Sequence, residues 1–154
     1  MAQSLARLWT HLIFSTKERY PFLSEPTVRA DMHGYLARVL RTHDCPTLEV
    51  VGCDDHVHAL FALSRNHSIA EIVKEIKRTS SAWIKTVERC YSKFRWQNGY
   101  GAFSVSQSHV NQVRNYILHQ EQHHRRRSFK DEYLTWLKKF EIPFEEKYVF
   151  TFFE

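Results

Sequence analysis

The chain is poor in the residues that interrupt regular structure, with four glycines and four prolines among 154 residues. That scarcity excludes collagen-like and low-complexity chains, and no Gly-, Ser- or Pro-rich tract marks a linker. Long apolar runs are missing too. Without a stretch of about eighteen apolar residues no membrane-spanning helix is expected, and no membrane partner with it. Met1 to Thr10 lacks the apolar core of a signal peptide, so the expected address is the cytoplasm. Cysteine is scarce and odd in number. Cys45, Cys53 and Cys90 form no C-x-x-C pair, so neither a disulfide framework nor a cysteine zinc knuckle is expected, and all three read as reduced thiols.

What the chain does have is ordinary globular material, 43% hydrophobic and 25% charged. This length supports one core and leaves no room for two domains of usual size. With no internal repeat, residues 1–154 read as one domain. There are 22 Lys and Arg against 17 Asp and Glu, a net charge of +5. The resulting pI near 9.2 points only weakly to a polyanionic partner, and where the charge sits matters more than its sum.

The order of elements is more informative. Leu8 to Ser15, with Trp9, Leu12, Ile13 and Phe14, reads as a first strand. Pro21 and Pro26 mark the connection that follows. From Glu25 to about Thr42, Val28, Met32, Tyr35, Leu36, Val39 and Leu40 recur at helical spacing. Leu48 to Cys53 suits a buried strand after Pro46. His56 to Leu63 splits by parity, with Val57, Ala59, Phe61 and Leu63 facing one way and His56, His58, Leu60 and Ala62 the other.

Ser68 is the expected N-cap of the clearest helix, whose stripe is Ile69, Ile72, Val73, Ile76, Trp83, Ile84 and Val87. Asn98-Gly99 signals a turn, and Tyr100 to Ser106 fits a fourth strand. Ser108 is expected to cap a mostly polar helix over about 108–125 with a narrow seam of Val110, Val113 and Ile117. A helical extension over about 129–154 completes the chain, with a helix from Phe129 to Phe140 and an apolar tail, Phe150 to Phe153, that needs a docking surface. Strand, helix, strand, strand, helix, strand, then extra helices, is the order of an α/β (α+β) ferredoxin-like split βαβ antiparallel sheet with added C-terminal helices. That fold hosts many unrelated activities.

Two constellations can carry chemistry. His56-Val57-His58 sends two imidazoles from one strand face, their β-carbons roughly 6.5 to 7 Å apart by strand rise, a separation that lets both converge on one cation. Tyr116 and Gln120, four apart, share a face of the helix after Ser108. If that helix lies across the histidine strand, the Gln120 amide oxygen completes a three-point metal site with the phenol beside it. Two neutral imidazoles and a neutral amide leave the cation's charge undiminished, which suits Mg²⁺ or Mn²⁺ acting on a phosphate. Zinc would more often take a third His, a Cys or a carboxylate. His119, His123 and His124 are near enough in sequence to supply one, so zinc stays open and the roles of these three histidines stay unassigned.

The stretches Asp55-His56-Val57-His58, Ile72-Val73-Lys74-Glu75-Ile76-Lys77, Gly99-Tyr100-Gly101-Ala102-Phe103-Ser104-Val105-Ser106 and Asn115-Tyr116-Ile117-Leu118-His119-Gln120 together resemble the single-tyrosine HUH transposases of small bacterial insertion sequences. The resemblance runs in order over nearly the whole chain. It implies a DNA strand-transfer enzyme in which Tyr116 is the nucleophile and His56, His58 and Gln120 are the metal ligands. It also implies single-stranded DNA with hairpins as partner, a covalent 5′-phosphotyrosine intermediate, and no nucleotide cofactor. Family members are homodimers in which the tyrosine helix of one subunit completes the metal site of the other. Two alternatives stand beside this reading: a domesticated relative processing chromosomal repeat hairpins with the same chemistry, and a non-catalytic ferredoxin-like nucleic-acid-binding module. A zinc hydrolase is a more distant third.

Basic residues would hold the substrate by neutralising phosphates. The candidates are Lys74, Lys77, Arg78 and Lys85 on the second helix, and Arg125, Arg126 and Arg127 with Lys130 after the tyrosine helix. Tyr91, Phe94, Trp96 and Tyr100 are of the type that stacks on unpaired bases, although such aromatics are more often core.

Overall fold

The structure, a computed structural model, describes residues 2–119 and 128–145. Its elements are β1 (Trp9–Ser15), α1 (Pro26–Thr42), β2 (Thr47–Gly52), β3 (His56–Ala62), α2 (Ile69–Ile84), β4 (Gly101–Ser104), α3 (Val110–Leu118) and α4 (Phe129–Lys139). The strands form one antiparallel sheet in the order β2-β3-β1-β4. β3 is thus inserted between β1 and β2, the split βαβ arrangement expected from the order of elements.

Local chemistry explains where the first two helices begin. Pro26 opens α1 while the Glu25 carboxylate accepts from the amides of Thr27 and Val28 at 3.0 and 2.8 Å. Ser68 Oγ accepts from the Glu71 amide at 3.1 Å to cap α2. The buried stripes Val28, Met32, Leu36, Leu40 and Ile72, Val73, Ile76, Ile84 lay both helices on one side of the sheet. There they cover Leu12, Phe14, Val57, Ala59 and Phe61 in the larger core. α2 ends earlier than the spacing to Val87 predicts. The amides of Thr86 and Val87 bond the carbonyls of Trp83 and Ile84 in tighter turns, and Val87 is left exposed.

The other sheet face carries His56, His58 and Leu60 of β3, His11 and Ile13 of β1, and Phe103 of β4. All seven β3 residues are buried because α3 and α4 cover this second face. α3 packs Val110 and Ile117 against Leu60 and Val105, and Arg114 pairs with Glu49 of β2 at 2.8 Å. Its start differs from expectation. Gln107–His109 form a single 3-10 turn, so α3 begins at Val110 and Ser108 is not its cap. The hydroxyls of Ser106 and Ser108 lie 2.7 and 3.1 Å from His109 Nδ1, so Ser108 Oγ meets an imidazole and not a helix amide.

Ser128 Oγ caps α4 by accepting from the Asp131 amide at 3.1 Å. Asp131 and Glu132 stand at its positive end, Lys138 and Lys139 at its negative end. α4 approaches the sheet closely: a β-carbon at Gly101 would stand 2.6 Å from the Tyr133 hydroxyl. Among the described residues no helix is long and apolar enough to cross a membrane.

Two glycines should respond oppositely to alanine. A β-carbon at Gly52 would run into the His56 carbonyl oxygen and sit 2.9 Å from Val57 Cα, all backbone of the hairpin that presents the histidines. Gly52→Ala is expected to destabilise the chain by about 1–3 kcal/mol. Gly34, in the interior of α1, meets nothing within 4 Å, and Gly34→Ala should stabilise by about 0.5–1 kcal/mol. Urea unfolding midpoints of the two variants check both signs.

Candidate active site

β3 carries both histidines of the H-x-H pair to the face covered by α4, and both are fully buried. Each imidazole is oriented by a neighbour. His56 Nδ1 donates to Asp55 Oδ1 at 2.8 Å, so Nε2 is the ring nitrogen that could take a metal. Asp55 is itself fixed by Arg19, whose Nη2 lies 3.0 Å from Oδ2. Burial alone would push the Asp55 carboxyl up, but its hydrogen bond with His56 and the charge of Arg19 outweigh that and hold it below its ordinary value. Phe129, the first residue of α4, stacks on His56 at 4.1 Å between ring centroids.

His58 is oriented from the other side. Its Nδ1 lies 2.9 Å from His11 Nε2, and the two rings stack at 5.1 Å. Register explains the contact: Ile13 of β1 stands opposite His58, which places His11 on the same face as a diagonal neighbour. Burial, and then His58, hold His11 well below its ordinary pKa, against the opposing pull of Glu132.

Glu132 of α4 is the residue that sequence reasoning missed. It is 2% exposed, and its Oε1 lies 3.1 Å from His58 Nε2. One ligand atom from each of His56, His58 and Glu132 falls within 4.8 Å of the others. Two ligands at right angles on a cation about 2.1 Å from each stand about 3.0 Å apart, so the triad has the spacing and donor set for a divalent metal. The signal was available in the sequence. Phe129, Tyr133, Trp136, Leu137 and Phe140 mark the apolar stripe of α4, and Glu132 sits inside it, where a carboxylate is rarely found without a partner.

α3 brings the half-buried Tyr116 to the same side of the sheet. Its ring meets Trp136 of α4 edge-on at 5.7 Å, Trp136 meets His11 edge-on at 4.8 Å, and His11 stacks on His58. Two rings therefore link the phenol to the imidazole pair within one chain. Beside them lies a cavity of about 580 Å³ walled by Tyr116, His109, Gln112, Trp136 and Phe140. His119 Nδ1 lies 2.6 Å from the Asn115 carbonyl oxygen. Gln120, His123, His124, Arg125, Arg126 and Arg127 lie outside the described residues, as does the Phe150 to Phe153 tail.

The cations of α2 sit in the layer across the sheet from the imidazoles. Lys77 Nζ donates to the carbonyls of Gln97 and Gly99 at 2.8 and 2.7 Å, and burial draws its pKa down to about 8. Arg78 pairs with Glu75 at 2.8 Å, while Lys74 is exposed. Tyr91, Phe94 and Trp96 belong to the core and Tyr100 is exposed.

The family model described as "Transposase IS200 like" matches residues 4–120, which takes in the H-x-H strand and the tyrosine helix. The chain belongs to the IS200-like transposase family. Among solved structures it is similar to a putative transposase from Deinococcus radiodurans R1, with 23% identity and a TM-score of 0.58, over 78% of this chain and 95% of that one. It is also similar to a REP-associated tyrosine transposase bound to a REP hairpin, with 13% identity and a TM-score of 0.52, over 76% of this chain and 67% of that one. At these identities the two structures speak for the fold. No curated protein matches the chain.

A half-buried histidine with a lowered pKa ties stability to pH. His33 of α1 is drawn down to about 4, by burial first and then by Arg29 and His56. Its Nε2 has no hydrogen-bond partner among the described residues. Above the unfolded value of about 6.5 neither state is protonated at this group, and its contribution to stability is complete. As pH falls from there towards 4 the unfolded chain binds a proton that folded His33 refuses, and stability declines. Urea midpoints measured across that window should fall with acidity, and fall less steeply in His33→Gln.

Proposed function

We propose that this transposase cleaves and rejoins single-stranded DNA, with Tyr116 as the nucleophile and His56 and His58 as ligands of a divalent cation. The observation that carries the reading is the placement of a phenol and two oriented, buried imidazoles on one face of one sheet. Any strand that reaches this face finds the 580 Å³ cavity with Tyr116 in its wall.

Mg²⁺ or Mn²⁺ held by the imidazoles would supply positive charge beside the non-bridging oxygens of a phosphodiester as charge builds there. The remaining work belongs to the chain. Tyr116 Oη bonds to phosphorus as its phenol gives up a proton, since a phenol titrates near 10 in water and is a poor nucleophile while protonated. The bond from phosphorus to the 3′ oxygen breaks, and that oxygen leaves as a 3′ hydroxyl carrying a proton. Tyr116 keeps the 5′ phosphate. Because one phosphodiester replaces another, a new 3′ hydroxyl can reverse the step on another strand without a nucleotide cofactor.

Hairpins at the ends of a mobile element are the proposed substrate, and Arg125, Arg126 and Arg127 are proposed to neutralise its phosphates near the site, with Lys74, across the sheet, meeting only DNA that extends around the domain. A homodimer is proposed in which the tyrosine helix of one subunit serves the histidines of the other, with Gln120 adding an amide oxygen as it arrives. Two features favour that arrangement. Trp136 links, and so spaces, Tyr116 and the imidazoles of one chain, and Leu118 at the end of α3 is half exposed.

Labelled single-stranded hairpin oligonucleotides incubated with the protein and Mn²⁺ should yield a complex that survives denaturation. Tyr116→Phe should bind the same DNA and form none; an adduct persisting in that variant would reject the assignment. His56→Ala and His58→Ala should each lower cleavage at least a hundredfold while circular dichroism shows the fold retained.

A further inference from the structure

We infer that Glu132 is the resident oxygen ligand of the metal, supplied by α4 of the same chain that carries His56 and His58. This rests on the metal reading above and assigns it a ligand outside the tyrosine helix. The site would then hold its ion before any Tyr116 or Gln120 arrives.

Four observations converge on Glu132. A carboxylate 2% exposed on an apolar helix stripe carries a desolvation penalty that only a cation or strong donors offset. Its Oε1 stands 3.1 Å from His58 Nε2, the edge length of an octahedron about 2.1 Å in radius. His56 and His58 both turn their Nδ1 atoms to other partners, Asp55 and His11, so that Nε2 of each is the nitrogen available for ligation. α4 is firmly held over the sheet: Phe129 stacks on His56, Trp136 contacts His11, and Leu137 is buried. Glu132 lies between those anchors, so its reach to the imidazoles is set by helix packing.

A carboxylate changes what the site does. Two imidazoles and one amide leave a divalent ion at +2. Two imidazoles and one carboxylate lower it to +1, bind it more tightly and favour hard cations over the neutral set. A metal held by His56, His58 and Glu132 would still be free to take phosphate oxygens. His56, His58 and Glu132 would hold the metal within one chain, so that a tyrosine helix would meet a charged centre already in place.

The test is Mn²⁺ binding to the full-length protein without DNA, by titration calorimetry and by the loss of the free-ion electron paramagnetic resonance signal. Glu132→Ala should weaken Mn²⁺ binding at least tenfold. Glu132→Gln, an isostere that keeps the helix packed, should fall between wild type and Glu132→Ala. Unchanged binding in both Glu132 variants, or tighter binding in either, would overturn the assignment. Tighter binding would make Glu132 an occupant that must leave before metal enters. If His56→Ala and His58→Ala also bind Mn²⁺ as wild type does, the metal reading itself fails, a result distinct from failure at Glu132 alone.

Discussion

The interaction on which the second layer of this fold depends is the burial of polar side chains on a sheet face that would otherwise be apolar. His11, His56, His58 and Glu132 are all but inaccessible to water. Polar groups in such a setting are tolerated only where they satisfy one another, since an unmet donor or acceptor there costs a few kcal/mol. The structure meets this in part by pairing across elements: Asp55 with His56 from the hairpin and His11 with His58 from the neighbouring strand, while Glu132 Oε1 of α4 stands 3.1 Å from His58 Nε2. Each pairing also determines which ring nitrogen faces inwards. The pairings that ease the burial also orient the imidazoles.

The division of the sheet into two faces follows from strand parity and is enforced by β1. That strand is central, paired to β3 and β4, so it must be covered on both sides. Leu12 and Phe14 serve the apolar core under α1 and α2, while His11 and Ile13 serve the face under α3 and α4. A register slip of one residue would exchange the two sets and put the histidines into the larger core. α4 is then the element that closes the site, because its stripe supplies Phe129 over His56, Glu132 beside His58 and Trp136 between His11 and Tyr116.

Much of this was legible before the structure, and for identifiable reasons. The parity of His56 to Ala62, the spacing of α1 and the Ser68 cap each follow from local periodicity or local chemistry, which a linear reading sees directly. Two strand-borne imidazoles two positions apart belong to the same class of signal. The stripe of α4 marked Glu132 as unusual, but its partner His58, 74 positions away, and the role of His11, 47 positions from His58, arise from helix docking and register that no local rule spans. The cap of α3 failed for a different reason. Ser106, Ser108 and His109 satisfy one another, and a side chain bonded within a turn no longer offers its oxygen to the helix amides. Val87 fitted the helical stripe on paper, yet α2 tightens and stops before reaching it.

Electrostatics show what a cation would change at the centre of this face. Several described cations near it are engaged: Arg19 by Asp55, Arg114 by Glu49, and Lys139 over the Trp136 ring at 5.0 Å. The cations of α2 lie across the sheet, where Lys77 closes the loop at Gln97 and Gly99. The triad alone is no attraction to a phosphodiester. With both imidazoles neutral it sums to −1, and with one imidazolium to zero. A divalent cation raises it to +1 in a site from which water is largely excluded, where each unit of charge acts through a low effective dielectric and is felt strongly by an incoming phosphate. The basic excess of the chain can gather DNA at long range, but on the proposed reading the sign of the field at the phosphodiester would be decided by a cation held between His56, His58 and Glu132.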